Sequence, residues 1–301
     1  MRALVIGASG QVGAALSRCL TARGHSVTGT HAQTPGPDTR RLDFTDTAAT
    51  ERLIAEAAPD WVFCAAGLTH VDYCEGAPAE AYRANRDAPA AAARAASRQG
   101  ARFVYYSTEY VFDGANGPYA ETELPNPLSV YGRSKLEGER AVVQAHAGAL
   151  VLRTTVVYGP EPQGKNFVYQ LLRRLRAGER MVVAEDQRSS PTYNEDLAAA
   201  SVELAERGVG GIVHVAGPVV LDRYAFARIA CEVFDLDAAL LAPTPTAALR
   251  QRAGRPLNAG LRIERARALL ATLLRAPREG LEAMRAALAE GAAVDRPGGH
   301  R

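Results

Sequence analysis

The chain has 301 residues, close to two domain-lengths at about 150 residues per domain. Hydrophobic residues make up 47% and charged residues 23%, which excludes the disordered and fibrous classes, and a formal net charge of +2 gives no general attraction to nucleic acid or acidic membranes. No apolar run approaches the roughly 18 residues that span a bilayer. The first residues enter a strand pattern at once, without the pattern of a signal peptide, and Cys19, Cys64, Cys74 and Cys231 form no C-x-x-C pair. A cytoplasmic protein with no metal site, no membrane and no nucleic-acid partner is expected.

Leu4-Val5-Ile6 is a short buried-strand pattern that ends in Gly7-Ala8-Ser9-Gly10-Gln11-Val12-Gly13, after which Ala14, Ala15, Leu16, Cys19 and Leu20 follow helical spacing. Ser26–Thr30 reads as the next strand, and a loop at 35–37 leads to a short segment ending at Leu42-Asp43-Phe44. A helix over 47–57 precedes the apolar strand Trp61–Cys64. An Ala-rich helix over 79–98 comes next, then a strand over 103–106, a helix over 131–146 and a strand over 150–152. Uninterrupted apolar strands separated by helices predict an α/β fold, a doubly wound parallel sheet covered on both faces. Beyond Gly159 the rhythm weakens. Helices are predicted over 166–176, 194–206 and 223–234, the last capped by Asp222, with strands over 181–183 and 212–215 and small covering helices over 262–290. This divides the chain into a dinucleotide-binding Rossmann domain (1–158), a smaller substrate lobe packed on it (159–291) and a tail (292–301).

Between its first strand and first helix, Gly7 permits a tight turn, Gly10 lets backbone approach a pyrophosphate, and Gly13 lets helix and strand pack closely. The N–H groups of Gly10, Gln11 and Val12 then face the phosphates from the positive end of the helix. The second strand ends Thr28-Gly29-Thr30-His31 without the carboxylate that accepts an adenosine 2′-hydroxyl in NAD sites, and Arg40 and Arg41 follow. NADP is favoured, with His31 or an arginine on its 2′-phosphate, and NAD is admitted. Tyr131 and Lys135, at i and i+4, share a helix face, and an ammonium beside a phenol is expected to lower the phenol's pKa so that it can protonate a carbonyl oxygen. Ser107 and Thr108 fall at the carboxyl edge of the sheet, where a hydroxyl can hold the substrate carbonyl. Ala65-Ala66-Gly67 follows a strand at the same edge. Asn85, on the intervening helix, is expected to bind backbone rather than take part in chemistry, and Trp61 to be core.

These residues together resemble the extended short-chain dehydrogenase/reductase superfamily. Ser107-Thr108-Glu109-Tyr110-Val111-Phe112-Asp113-Gly114, Tyr131-Gly132-x-x-Lys135, Leu152–Gly159 and Asp186-Gln187-x-x-x-Pro191-Thr192 resemble its dTDP-4-dehydrorhamnose reductase branch, in order from residue 1 to about 235. The resemblance implies NAD(P)H-dependent reduction of the 4-keto group of a nucleotide-linked deoxysugar. It implies Tyr131 as proton donor, Lys135 on the nicotinamide ribose and Thr108 on the keto oxygen. Asp43 and Phe44 would lie near the adenine, Ala65, Ala66 and Gly67 would line the cofactor, and Gln187 and Arg188 would hold the nucleotide end of the substrate, Arg188 at the diphosphate. Glu109 stands where the branch usually has Asp, and Val156 where it usually has Trp against the sugar. Both changes fall in the substrate pocket. A homodimer is compatible with the resemblance. Two alternatives share the motifs: a non-catalytic dinucleotide-binding subunit resembling the methionine adenosyltransferase beta subunit, and a nucleotide-sugar epimerase or dehydratase.

Overall fold

The computed structural model describes residues 1–294. The first half alternates β1 (Arg2–Ile6), α1 (Gln11–Ala22), β2 (Ser26–His31), β3 (Thr39–Arg41), α2 (Thr47–Ala57) and β4 (Trp61–Cys64). It continues through α3 (Val71–Gly76), α4 (Pro78–Tyr82), α5 (Ala88–Arg98), β5 (Arg102–Thr108), α6 (Val130–Ala145) and β6 (Leu150–Thr154). The second half comprises β7 (Val157–Tyr158), α7 (Phe167–Arg176), β8 (Met181–Ala184), β9 (Arg188–Ser189), β10 (Thr192–Tyr193) and α8 (Asn194–Glu206). Then follow β11 (Gly211–His214), β12 (Leu221–Asp222), α9 (Arg223–Phe234), β13 (Leu241–Thr244), α10 (Glu264–Leu269) and α11 (Pro277–Val294). Positions 295–301, most of the expected tail, lie outside the described residues.

Seven strands form one sheet in the order β11-β6-β5-β4-β1-β2-β3, and every pairing in it is parallel. This is the doubly wound α/β architecture that the apolar strands predict. Alternate residues of β1 face opposite sides: Ala3 and Val5 join Leu16, Phe63 and Leu197 in one core, while Leu4 and Ile6 join Ile54, Val62 and Phe103 in the other. Helices α1 and α8 cover the first face, and α2, α5 and α6 the second. The chain leaves β1 toward β2 on one side and returns to β4 on the other, so a crevice opens between the carboxyl ends of β1 and β4, where such sheets bind ligands.

After residue 159 the chain re-enters this sheet. Strand β11 pairs with β6 and α8 lies against α1, while a separate core gathers Val168, Leu171, Met181, Phe226, Leu281 and Met284 from α7, β8, α9 and α11. Asp222 caps α9 as expected, its carboxylate accepting the Ala225 N–H at 2.7 Å.

The Ala-rich helix differs from its prediction. It is interrupted by a π turn at Arg83–Asp87 between α4 and α5. Pro89 has no N–H to donate to Asn85, four residues back, and its ring crowds that carbonyl, so the turn widens. The Asn85 carbonyl instead accepts the Tyr105 hydroxyl at 2.7 Å. The helix thereby bonds to the neighbouring strand.

Glu203 of α8 fastens the carboxyl-terminal segment. Its carboxylate accepts the N–H groups of Ala271 (2.7 Å) and Thr272 (2.8 Å) and the Thr272 hydroxyl (2.6 Å), and pairs with Arg207. Burial alone would raise its pKa, but these donors and the guanidinium outweigh it and lower the value from 4.5 to about 2. A depressed carboxyl pKa contributes stability that is complete above the unfolded value and is lost as pH falls through the folded one. Glu203→Gln is therefore expected to lower stability by about 1–3 kcal/mol at neutral pH. Urea denaturation at pH 7 and near pH 2 checks this; the deficit should shrink in acid, and an equal deficit at both values contradicts it.

Candidate active site

Strand β1 delivers the glycine turn to the crevice. Gly7 has φ +87°, and a Cβ there would sit 2.9 Å from the Ala66 nitrogen, so the segment after β4 packs directly on the turn. A Cβ on Gly13 would lie 2.1 Å from the Gly7 oxygen, so the start of α1 and the end of β1 touch backbone to backbone. Gly10 is the open member, with only the Gly7 oxygen near it at 3.4 Å. It caps α1 without a side-chain hydrogen bond, and the first turn, with Gln11, Val12 and Gly13, carries no acidic residue. Uncapped N–H groups at a helix start without a competing carboxylate suit an anion such as a pyrophosphate. The Gln11 side chain points elsewhere, donating to the Val157 carbonyl at 3.1 Å, and Gln163 donates to the Ser9 carbonyl at 3.1 Å.

His31 ends β2 half-exposed, its Nδ1 2.8 Å from the Thr39 hydroxyl, with Arg40 and Arg41 exposed on the adjacent β3. Asp43 is turned onto its own loop. Its carboxylate accepts the Thr45 hydroxyl and N–H at 2.7 and 3.0 Å, and these bonds hold its pKa below the ordinary carboxylate value. Half-buried Phe44 packs beside the core under α2. Ala65 and Ala66 continue β4, the Ala65 N–H donating to Ile6 at 3.0 Å. Gly67 lies where a Cβ would be 3.0 Å from Asn85 Oδ1 and 3.9 Å from Lys135 Nζ. Fully buried Asn85 accepts the Leu68 N–H at 2.9 Å and donates to the Leu68 carbonyl and Ser134, both at 3.0 Å. It is a clamp between the loop after β4 and α6.

Helix α6 starts one residue earlier than expected, capped by Ser129, whose hydroxyl accepts the Gly132 N–H; Glu75 accepts the Val130 N–H at 2.7 Å. Strand β5 runs two residues further than expected, so Ser107 and Thr108 are its last residues rather than its turn. Tyr131 and Thr108 are both buried at this edge, with Tyr131 edge-on to Tyr110 at 5.5 Å between ring centroids. Lys135 lies under the Tyr105 ring, 4.1 Å from its centroid, and donates to the Tyr106 carbonyl at 2.6 Å.

The expected acidification of Tyr131 is absent from the chain itself. Burial raises its pKa above the ordinary phenol value, and the Glu109 carboxylate adds to that, against a hydrogen bond with Thr108. The lysine is the group that shifts downward. Burial takes Lys135 to about 8, with Cys64 and Glu139 opposing. The Thr108 hydroxyl donates to Glu109 Oε2 at 2.8 Å and accepts the Tyr110 N–H at 3.2 Å. Glu109 is buried, and this burial raises its pKa from the ordinary carboxylate value despite Thr155, Thr108 and Arg223.

Val156 is half-buried, with φ +38°, a left-handed conformation that costs a β-branched residue about 1–3 kcal/mol. Gln187 is held by its amide to Thr246 (3.0 Å) and Gln251 (3.3 Å). Arg188 leaves its side chain exposed while its backbone joins Leu257 and Ala259.

Several residues here had no role in the sequence reading. Glu139, one helical turn after Lys135, accepts the Ser107 hydroxyl at 2.5 Å and Arg153 through Nε and Nη2 at 2.9 and 2.7 Å, with Arg153 and Glu139 only 2% and 3% exposed. A carboxylate at i+4 from the lysine and a lone arginine in an apolar strand were the available signals. Arg255 bonds Asp72 at 2.8 Å and stands over the Tyr110 ring, joining the loop after β13 to α3 beside the site. Only its distance in sequence hid it.

A phosphate-ready glycine turn, a Tyr-x-x-x-Lys helix and a strand-end threonine at one crevice define a dinucleotide-binding protein of the short-chain dehydrogenase/reductase class. The family described as RmlD substrate binding domain matches residues 1–290, and the chain belongs to it. It is 37% identical over 302 residues to dTDP-4-dehydrorhamnose reductase of Mycobacterium tuberculosis, covering 98% of this chain and 96% of that one. It is 33% identical over 249 residues to methionine adenosyltransferase 2 subunit beta of Xenopus tropicalis, covering 80% and 75%. The crystal structure of dTDP-4-dehydrorhamnose reductase from Bacillus anthracis in complex with NADP superposes with a TM-score of 0.88 at 28% identity, over 95% of this chain and 99% of that one.

The buried Glu139–Arg153 pair yields a stability prediction. Arg153→Met strands a buried carboxylate and is expected to cost about 3–5 kcal/mol. Adding Glu139→Met should recover part of that loss in denaturant melts; a double variant as destabilised as the sum of the singles contradicts a direct coupling.

Proposed function

We propose that this chain is a cytoplasmic NADPH-dependent reductase of the 4-keto group of a nucleotide-linked deoxysugar, with dTDP-4-dehydrorhamnose as the substrate closest to its relatives' names. The observation that carries the reading is the approach of Lys135 Nζ to Gly67, 3.9 Å from a Cβ built there, which sets the Tyr131 helix against the loop that packs on the glycine turn. The uncapped start of α1 suits the pyrophosphate, and the lack of a carboxylate at the end of β2, with His31, Arg40 and Arg41 there, suits a 2′-phosphate.

Bound NADPH would supply the hydride. Tyr131, holding its proton by virtue of burial, would donate it to the oxygen of the reduced carbonyl. An ammonium has three protons, and Lys135 commits one to Tyr106, which leaves donors for the ribose hydroxyls. Val156 in place of an aromatic ring and Arg188 at the edge of β9 would shape the sugar and nucleotide ends. The regulatory reading, suggested by the methionine adenosyltransferase relative, would leave this machinery idle.

Purified protein incubated with NADPH and dTDP-4-keto-6-deoxysugars should consume reduced cofactor, followed by absorbance. Tyr131→Phe should reduce that turnover by roughly 10²-fold or more while leaving NADPH binding in place. Tight cofactor binding with no turnover on any such sugar would favour the regulatory reading, and a Tyr131→Phe protein as fast as wild type would dismiss the mechanism.

A further inference from the structure

Lys135 is 5% exposed, and the carboxylate that acts on it is committed elsewhere. That carboxylate, Glu139, lies one helical turn on and accepts from Ser107 and from Arg153 of β6. The Cys64 thiol at the end of β4 is pushed up to about 12 by burial and keeps its proton. Burial likewise holds the phenols of Tyr105 and Tyr131 above their ordinary value, so both are neutral where Lys135 titrates. Two groups then hold the ammonium: the Tyr106 carbonyl at 2.6 Å and the face of the Tyr105 ring, with 4.1 Å from Nζ to the centroid. A ring face carries the negative part of the aromatic quadrupole, and it attracts a desolvated cation more strongly than an exposed one.

The ring is aimed by three segments at once. Tyr105 is fully buried on β5, and its hydroxyl donates to the Asn85 carbonyl at 2.7 Å. That carbonyl is open to a side chain because the π turn at Arg83–Asp87 disturbs the helical ladder ahead of Pro89, which has no N–H. Gly138 of α6, three residues after Lys135, leaves the space in which the two oxygens meet. A Cβ there would lie 2.0 Å from the Asn85 oxygen and 2.5 Å from the Tyr105 hydroxyl. We propose that Tyr105 is a positioning residue for Lys135: its ring face keeps the ammonium charged and in place on the Tyr131 helix, and the π turn at Asn85 fixes that ring. Tyr105 acts only through the lysine. Its consequence for turnover rests on the reductase reading above, whereas its hold on Lys135 is a property of the free protein.

The chain has only two lysines, Lys135 and Lys165, so isotope labelling of lysine gives two ε-methylene signals by NMR, which Lys165→Arg assigns. In the free wild-type protein the Lys135 signal should lie upfield of the Lys165 signal, shielded by the Tyr105 ring, and should titrate at about 8. Tyr105→Phe keeps the ring, and its Lys135 midpoint should stay within about half a unit of wild type, whereas in Tyr105→Leu it should fall by about one unit. NADPH affinity should weaken as pH rises through this titration, and that limb should move to lower pH by the same amount in Tyr105→Leu. A Tyr105→Leu protein whose Lys135 titrates where wild type does, or higher, overturns the proposal. So does a wild-type Lys135 signal without the upfield displacement. If Tyr105→Leu does not fold, the displacement in wild type and in Tyr105→Phe decides instead. A wild type that binds NADPH but reduces no keto sugar defeats the reductase reading, and the lysine titration then judges Tyr105 by itself.

Discussion

The candidate chemistry depends on helix α6 being locked against the end of strand β5. Tyr131 and Lys135 sit on one face of this helix, and their position is only as good as its register with the strand. Three contacts set that register. Glu139 is tied to Ser107 and Arg153, Lys135 to the Tyr106 carbonyl, and Gly138 comes so close that a Cβ would lie 2.0 Å from the Asn85 oxygen and 2.5 Å from the Tyr105 hydroxyl. A buried ion pair is weak evidence of net stability, because desolvating both charges offsets much of their attraction. Its contribution here is geometric. A helix shifted by one residue would strand the carboxylate and the guanidinium without partners, so the pair penalises every register but one.

Burial shifts Tyr131 and Lys135 of this helix in opposite directions. Tyr131 is buried beside Glu109, and both effects hold its proton in place. Lys135, drawn down to about 8, keeps much of its charge near neutral pH yet spends one donor on backbone. Burial thus keeps the Tyr131 proton on the phenol in the ligand-free chain.

Much of this was legible in the sequence. The order of strands and helices, the glycine turn, the capping of α9 by Asp222 and the placement of Tyr131 and Thr108 at one edge follow from apolar runs, glycine spacing and strand ends, which are local signals. What was not legible depends on contacts between distant segments or on burial. The π turn at Arg83–Asp87 had a visible cause in Pro89, but the partner that accepts the freed geometry, Tyr105, lies on another strand. The return of Gly211–His214 to the main sheet is a choice of neighbour that no single strand pattern encodes. The tuning of Tyr131 is not legible in the spacing, which places Lys135 on the same face but says nothing of the Tyr106 carbonyl that takes one of its hydrogen bonds, or of the desolvation that acts on the phenol.

The segment from Val156 to Gln163 links the glycine turn to the core of the second half. Val156 carries the left-handed strain, its carbonyl accepts the Thr192 N–H at 3.2 Å, and the next carbonyl, of Val157, receives the Gln11 amide. Six residues on, Gln163 reaches the Ser9 carbonyl. Both glutamine contacts fall on or beside the glycine turn, while Val156 packs against the core of the second half. A backbone held in a costly conformation persists only where its surroundings over-determine it. Here the surroundings are the turn on one side and the α7, α9 and α11 core on the other. The same short segment therefore ties the glycine turn to the core of the second half, with Val156 held in its strained conformation between them.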